Sequence, residues 1–192
     1  MYILARYKEK SYIKNMKGER MRKDEINKKL KKENFPRISD FIKALFVFLK
    51  KEQFLLKKGV NERSITHKLA EYLQREFQDY YVDCEYNRML KDEIYITKNL
   101  KLEIKNTKST DLKQTTVYPD IIIHKRGNNE DNLLVIEVKK EENNSSKKYD
   151  IKKLEAFTNQ LNYKFGFYIE FNNESVSDFE ICKKGVKCQL KT

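Results

Sequence analysis

The chain has 192 residues, enough for one domain with its own core, and no stretch approaches the roughly 18 consecutive apolar residues of a membrane span. It opens without a secretory h-region, and its three cysteines, Cys84, Cys182 and Cys188, are an odd number with no C-x-x-C spacing. The expectation is a cytoplasmic protein with reduced thiols, no membrane partner, no disulfide framework and no cysteine zinc site.

The net charge of +12 is uneven, since residues 1–58 hold 18 Lys and Arg against 7 Asp and Glu, while residues 59–192 hold 23 against 22. The division expected is therefore a basic helical N-terminal extension, 1–58, ahead of a nearly neutral domain, 59–192. Such asymmetry suits a polyanion, nucleic acid before an anionic membrane surface, although a lysine-rich codon bias accounts for solvated lysines equally well.

Along the chain, Ile26 and Leu30 stand four apart in a charged run from Asp24 to Lys32 and predict a short helix. After Pro36, the spacing of Ile38, Phe41, Ile42, Leu45, Phe46 and Leu49 predicts an amphipathic helix ending near Leu56. Gly59 interrupts, and Asn61 can cap a helix whose buried row is Ile65, Leu69, Leu73 and Phe77. Glu62 is nearly two turns before Leu69 and so faces inward along that row. The alternation in YYVDCEY, residues 80–86, predicts a half-buried strand with Asp83 and Glu85 turned outward. Residues 87–115 are polar and weakly alternating, an insertion or an edge hairpin. Strands follow at 117–124 and 133–139 around the turn RGNNED, then a helix over 150–161, a strand over 165–171 and a last one over 176–182.

Three charges sit inside the two apolar runs of YPDIIIHKRGNNEDNLLVIEVKK: Asp120, Glu137 and Lys139. Asp120 and Glu137 are equidistant from the centre of the turn, so a simple hairpin sets them side by side. Leu134, Ile136 and Val138 share one strand face and Leu133, Val135, Glu137 and Lys139 the other, so both faces are apolar before the charges begin. An unpaired charge there costs several kcal/mol or changes protonation. Two compensations present themselves. Lys139 can pair with a carboxylate at the strand end, or two repelling carboxylates can share a divalent cation, for which oxygen ligands suit Mg²⁺.

On Pro119-Asp120 followed by Glu137-Val138-Lys139, and on the order helix, three strands, helix, strand, the chain resembles the PD-(D/E)XK nuclease superfamily. The resemblance covers residues 61–171, leaves 1–58 outside, and lengthens the family's first strand connection by 87–115. It implies an α/β restriction-endonuclease-like core, αβββαβ, with a central mixed sheet flanked by helices. It further implies that Asp120 and Glu137 bind Mg²⁺ or Mn²⁺, with the Val138 carbonyl and Glu62 as further ligand candidates, and that Lys139 orients the attacking water. The implied reaction is phosphodiester hydrolysis, on DNA in preference to RNA, in an enzyme that can act as a homodimer. The rival from another class is a catalytically inactive nucleic-acid-binding or scaffolding protein that keeps the fold.

Other residues carry less. A carboxylate at Glu62 is favoured by the helix dipole in any case. His67 and His124 are 57 positions apart with no cysteine at ligand spacing, against a zinc site. Lys153, on the helix after the motif, is read as an exposed charge rather than a phosphate contact, and the strand aromatics as core. No Gly-rich phosphate loop is present.

Overall fold

The computed structural model describes residues 23–58, 60–91, 94–106, 109–141 and 147–183, so Gly59 and Cys188 lie outside the described residues. Four helices precede the sheet: α1 (23–32), α2 (Ile38–Lys51), α3 (Gln53–Lys57) and α4 (Glu62–Glu76). The strands β1 (Tyr81–Cys84), β2 (Arg88–Lys91), β3 (Ile94–Thr97), β4 (Asn99–Asn106), β5 (Ser109–Thr116), β6 (Ile121–His124) and β7 (Leu134–Lys140) follow. Helix α5 (Lys147–Gln160) then leads to β8 (Phe165–Phe171) and β9 (Val176–Lys183).

The main sheet has the order β1-β6-β7-β8-β9. All neighbours are antiparallel except β7 and β8. Parallel neighbours require a crossover, and α5 supplies it across one face. Side chains alternate between two cores. Ile121, Ile123, Leu134, Ile136, Val138, Phe167 and Ile169 pack with α1, α2 and α4, whereas Ile122, Val135 and Tyr168 pack with Ile151, Leu154 and Phe157 of α5. Helices on both faces are the reason β6 and β7 read as unbroken apolar runs. The molecule is thus a mixed α/β protein with a five-stranded mixed sheet between two helical layers.

The basic helices are part of this core. Ile26 and Leu30 of α1, Phe41, Leu45 and Phe48 of α2 and Leu56 of α3 are buried in the same cluster as the sheet. Several of their lysines face out, Lys43, Lys50 and Lys51 among them. Helix α1 is tied to β9 by Lys29 Nζ, which donates to the Phe179 carbonyl at 2.5 Å, and by Lys183 Nζ, which donates to the Glu33 carbonyl at 2.9 Å. The single helix expected to end near Leu56 is two, since α2 stops at Lys51 and α3 follows.

Residues 87–115 form two hairpins, β2–β3 and β4–β5. Gln160 docks the second onto α5 by exchanging hydrogen bonds with both backbone groups of Lys101, at 3.0 and 3.1 Å. Helix α5 packs tightly over Gly166, where a Cβ would lie 3.2 Å from Leu154 Cβ and 3.4 Å from Cys182 Cβ. Cys84 is free, but Cys182 is disulfide-bonded, which corrects the expectation of reduced thiols throughout. Among the described residues no helix is long and apolar enough to cross a membrane.

Candidate active site

The site forms where β6, β7, the start of α4 and the start of α5 meet. The β6–β7 register pairs Ile121 with Ile136, so the next step sets Asp120 against Glu137, as the symmetry of the turn predicts. Asp120 itself falls at a bend just before β6, where the Pro119 carbonyl accepts the Glu85 N–H at 3.0 Å. Proline has no N–H to continue the ladder. The Pro119 carbonyl being turned to Glu85, the Val138 N–H finds its acceptor in the Asp120 carboxylate, Oδ2, at 2.7 Å. Val138 is fully buried with its side chain in the α4 layer, so only its backbone belongs to the site.

Glu137 is 1% exposed on the α5 side of β7. Its Oε2 accepts from Lys153 Nζ at 2.7 Å, and its Oε1 is buried with no hydrogen-bond partner. Two residues on, Lys139 Nζ donates to Glu62 Oε1 at 2.9 Å and lies 3.8 Å from Asp150 Oδ2. Glu62 Oε2 also accepts the Lys140 N–H at 3.3 Å. Asn61 makes this reach possible by capping α4, its Oδ1 accepting the Ser64 N–H at 2.9 Å, which holds Glu62 in the first turn pointing at the end of β7.

The structure therefore brings together Asp120, Glu137, Val138, Lys139 and Glu62. It adds two residues. Lys153, expected as an exposed charge, has only 13% of its side chain exposed and bonds Glu137 instead. Asp150 was not anticipated at all, although it stands four and seven residues before Leu154 and Phe157 and so shares their buried helical row. Asp83 also departs from expectation: its carboxylate is largely enclosed and accepts from Arg126 Nε at 3.0 Å, with His124 Nε2 at 2.9 Å. These partners hold its pKa well below the usual range against the opposing effect of burial. Glu85 remains exposed beside Arg63.

Burial, reinforced by Asp120, pushes the Glu137 pKa up to about 8 despite Lys153. Burial likewise raises Asp120, partly opposed by the Val138 N–H and both lysines, and raises Asp150. For the two lysines burial works downward, but the Glu62 hydrogen bond and the Asp150 charge at Lys139, and the Glu137 charge at Lys153, prevail and raise both. Fully ionised, the four carboxylates outnumber the two ammonium groups by two, which leaves a double negative charge in a place of low dielectric.

A divalent cation fits that donor set. The ligands are hard oxygens, the surplus charge matches, and Glu137 Oε1 lacks a partner. Their present arrangement is not a preformed cage, because among the described residues no group of three or more His, Cys, Asp or Glu side chains is placed to hold a metal. Lys153 and Lys139 engage Glu137 and Glu62 in its stead. Comparison of the chain with protein-family models, curated proteins and solved structures found no match.

Proposed function

We propose that the chain is a restriction-endonuclease-like, metal-dependent nuclease that hydrolyses phosphodiester bonds in DNA. The observation that carries the reading is the buried Glu137, with an unpartnered oxygen, set in register beside Asp120 and two residues from Lys139. A structural ion pair needs no second carboxylate in such a position. Asp120, Glu137 and Glu62 would hold Mg²⁺ or Mn²⁺, with the Val138 carbonyl as a further ligand. When bound, the ion would polarise the phosphoryl oxygens and offset the charge that develops in the transition state.

The chain's own groups do the remainder. Lys139, held by Glu62 and near Asp150, keeps its ammonium in the charged form and would orient a water and stabilise the phosphorane-like charge. Lys153, bonded to Glu137, would offset the repulsion between Glu137 and Asp120. Incubation of supercoiled and linear DNA with Mg²⁺ should give cleavage that EDTA abolishes and that Asp120→Ala and Lys139→Ala each reduce at least about a hundredfold. Equal activity in both variants would assign the cleavage to a contaminant.

One observation favours a second reading. Because Lys153 and Lys139 satisfy two of the carboxylates internally, a nucleic-acid-binding or scaffolding protein could keep this fold without turnover. It would bind DNA, show no uptake of Mn²⁺ by calorimetry, and leave the DNA intact.

A further inference from the structure

Two buried carboxylate oxygens have no hydrogen-bond donor among the described residues, Glu137 Oε1 on β7 and Asp150 Oδ2 on α5. The first is accounted for by the cation assigned to Glu137. The second is not. Asp150 is 5% exposed, and the nearest ammonium, Lys139 Nζ, stays 3.8 Å away because Glu62 Oε1 holds it at 2.9 Å. Leaving a buried acceptor unmatched is costly, so such an oxygen calls for a donor that can reach it. Lys153 is three residues after Asp150 on α5, which makes the two side chains neighbours on one helix surface. Each already feels the other's charge, which lowers the carboxyl pKa and raises the ammonium pKa, although burial is the larger influence on both. In this structure the Lys153 ammonium is spent on Glu137 Oε2, at 2.7 Å.

We propose that Lys153 turns from Glu137 to Asp150 when the site takes up a divalent cation, with Asp150 as the positioning residue that receives the displaced ammonium. The proposal rests on the nuclease reading and adds how a site filled by lysines becomes a cation site. A dication on Glu137 would otherwise share that carboxylate with an ammonium group in low dielectric, where like charges a few ångströms apart repel strongly. Rotation about the lysine's own torsions relieves this without moving the backbone. Both orphaned oxygens then have a purpose: Glu137 Oε1 is open to the cation, and Asp150 Oδ2 to the ammonium the cation replaces.

The test is calorimetric titration of the full chain with Mn²⁺, without DNA, in a double-mutant cycle of Asp150→Asn and Lys153→Met. Asp150→Asn should weaken uptake about tenfold in the parent and leave it nearly unchanged in the Lys153→Met background, where no ammonium needs a new partner. If Asp150 acted only as a negative charge near the cation, the loss would be equal in both backgrounds, and that result would overturn the proposal. A loss that vanishes instead on Lys139→Met would overturn it too, by giving the acceptor to Lys139. Should Lys153→Met fail to fold or to take up Mn²⁺, crystals of the parent soaked in Mn²⁺ decide: Lys153 Nζ bonded to Asp150 Oδ2 supports the exchange, and Lys153 still on Glu137 overturns it. No Mn²⁺ uptake by the parent would overturn the exchange and the nuclease reading together. Coupling in the cycle with DNA left intact would refute the nuclease reading alone, and cleavage without coupling would refute the exchange alone.

Discussion

Lys98 lies away from the site and shows what a buried cation costs this molecule. It is 2% exposed, and its Nζ donates to Tyr163 Oη at 2.8 Å and to the Tyr86 carbonyl at 3.3 Å, with both rings close by. Burial lowers its pKa to about 8 from an ordinary 10.5, with Asp83 pulling the other way. Unfolding restores the ordinary value, so above pH 8 the unfolded chain binds more protons than the folded one. Stability contributed by this residue then rises with pH, by at most about 1.4 kcal/mol per unit. Cys84, pushed up by burial to about 11 from 9.0, acts in the opposite sense above pH 9. The clean window is therefore pH 8 to 9. There, the urea-unfolding free energy of the parent should rise relative to Lys98→Met, and a difference that stays flat or falls would contradict the assignment.

At the scale of elements, α5 matters most, because it closes the second core and carries Asp150 and Lys153 over β7. Its seat on the sheet is Gly166. An added methyl would crowd Leu154 Cβ at 3.2 Å, a distance a side chain cannot relieve by a rotamer change because Cβ moves with the backbone. Overpacking of this kind costs about 1–3 kcal/mol, while removing a glycine's freedom in the unfolded chain returns only about 0.4–1 kcal/mol. Gly166→Ala should lower stability by about 1–2 kcal/mol in a denaturant titration. It should also reduce any metal-dependent cleavage, since moving α5 separates Lys153 from Glu137. A variant as stable as the parent would show that α5 can shift freely.

For the whole molecule, helices α1 to α3 and the sheet share one packed core. Removing residues 1–34 would take Ile26 and Leu30 out of the core, at roughly 2–5 kcal/mol for each large apolar side chain lost, so that truncation is expected to unfold the protein and says nothing about its charge. The exposed Lys50 and Lys51 at the end of α2 allow a cleaner measurement. If α2 contributes to the DNA surface, Lys50→Gln with Lys51→Gln should lower the slope of log affinity against log salt by roughly 0.9 per phosphate contact on duplex DNA. An unchanged slope would place the phosphate contacts elsewhere.

Local pattern was enough for much of this. Continuous apolar runs bounded by a turn located β6 and β7, an aromatic run located β8, the helical spacing located α2, α4 and α5, and the symmetry of one turn set Asp120 against Glu137. All of these depend on neighbours in the chain. Lys153 was out of reach, because whether a helix charge faces water or a buried carboxylate depends on which sheet face the crossover covers; for Asp150 the spacing showed the buried row but not the partners in it. The same holds for Asp83, whose partners His124 and Arg126 come from another strand and the turn beyond it, and for the basic helices, whose apolar stripe is equally suited to a separate unit or a shared core. Composition and spacing determined which residues must be buried; only the packed layers decided which charges are buried with them.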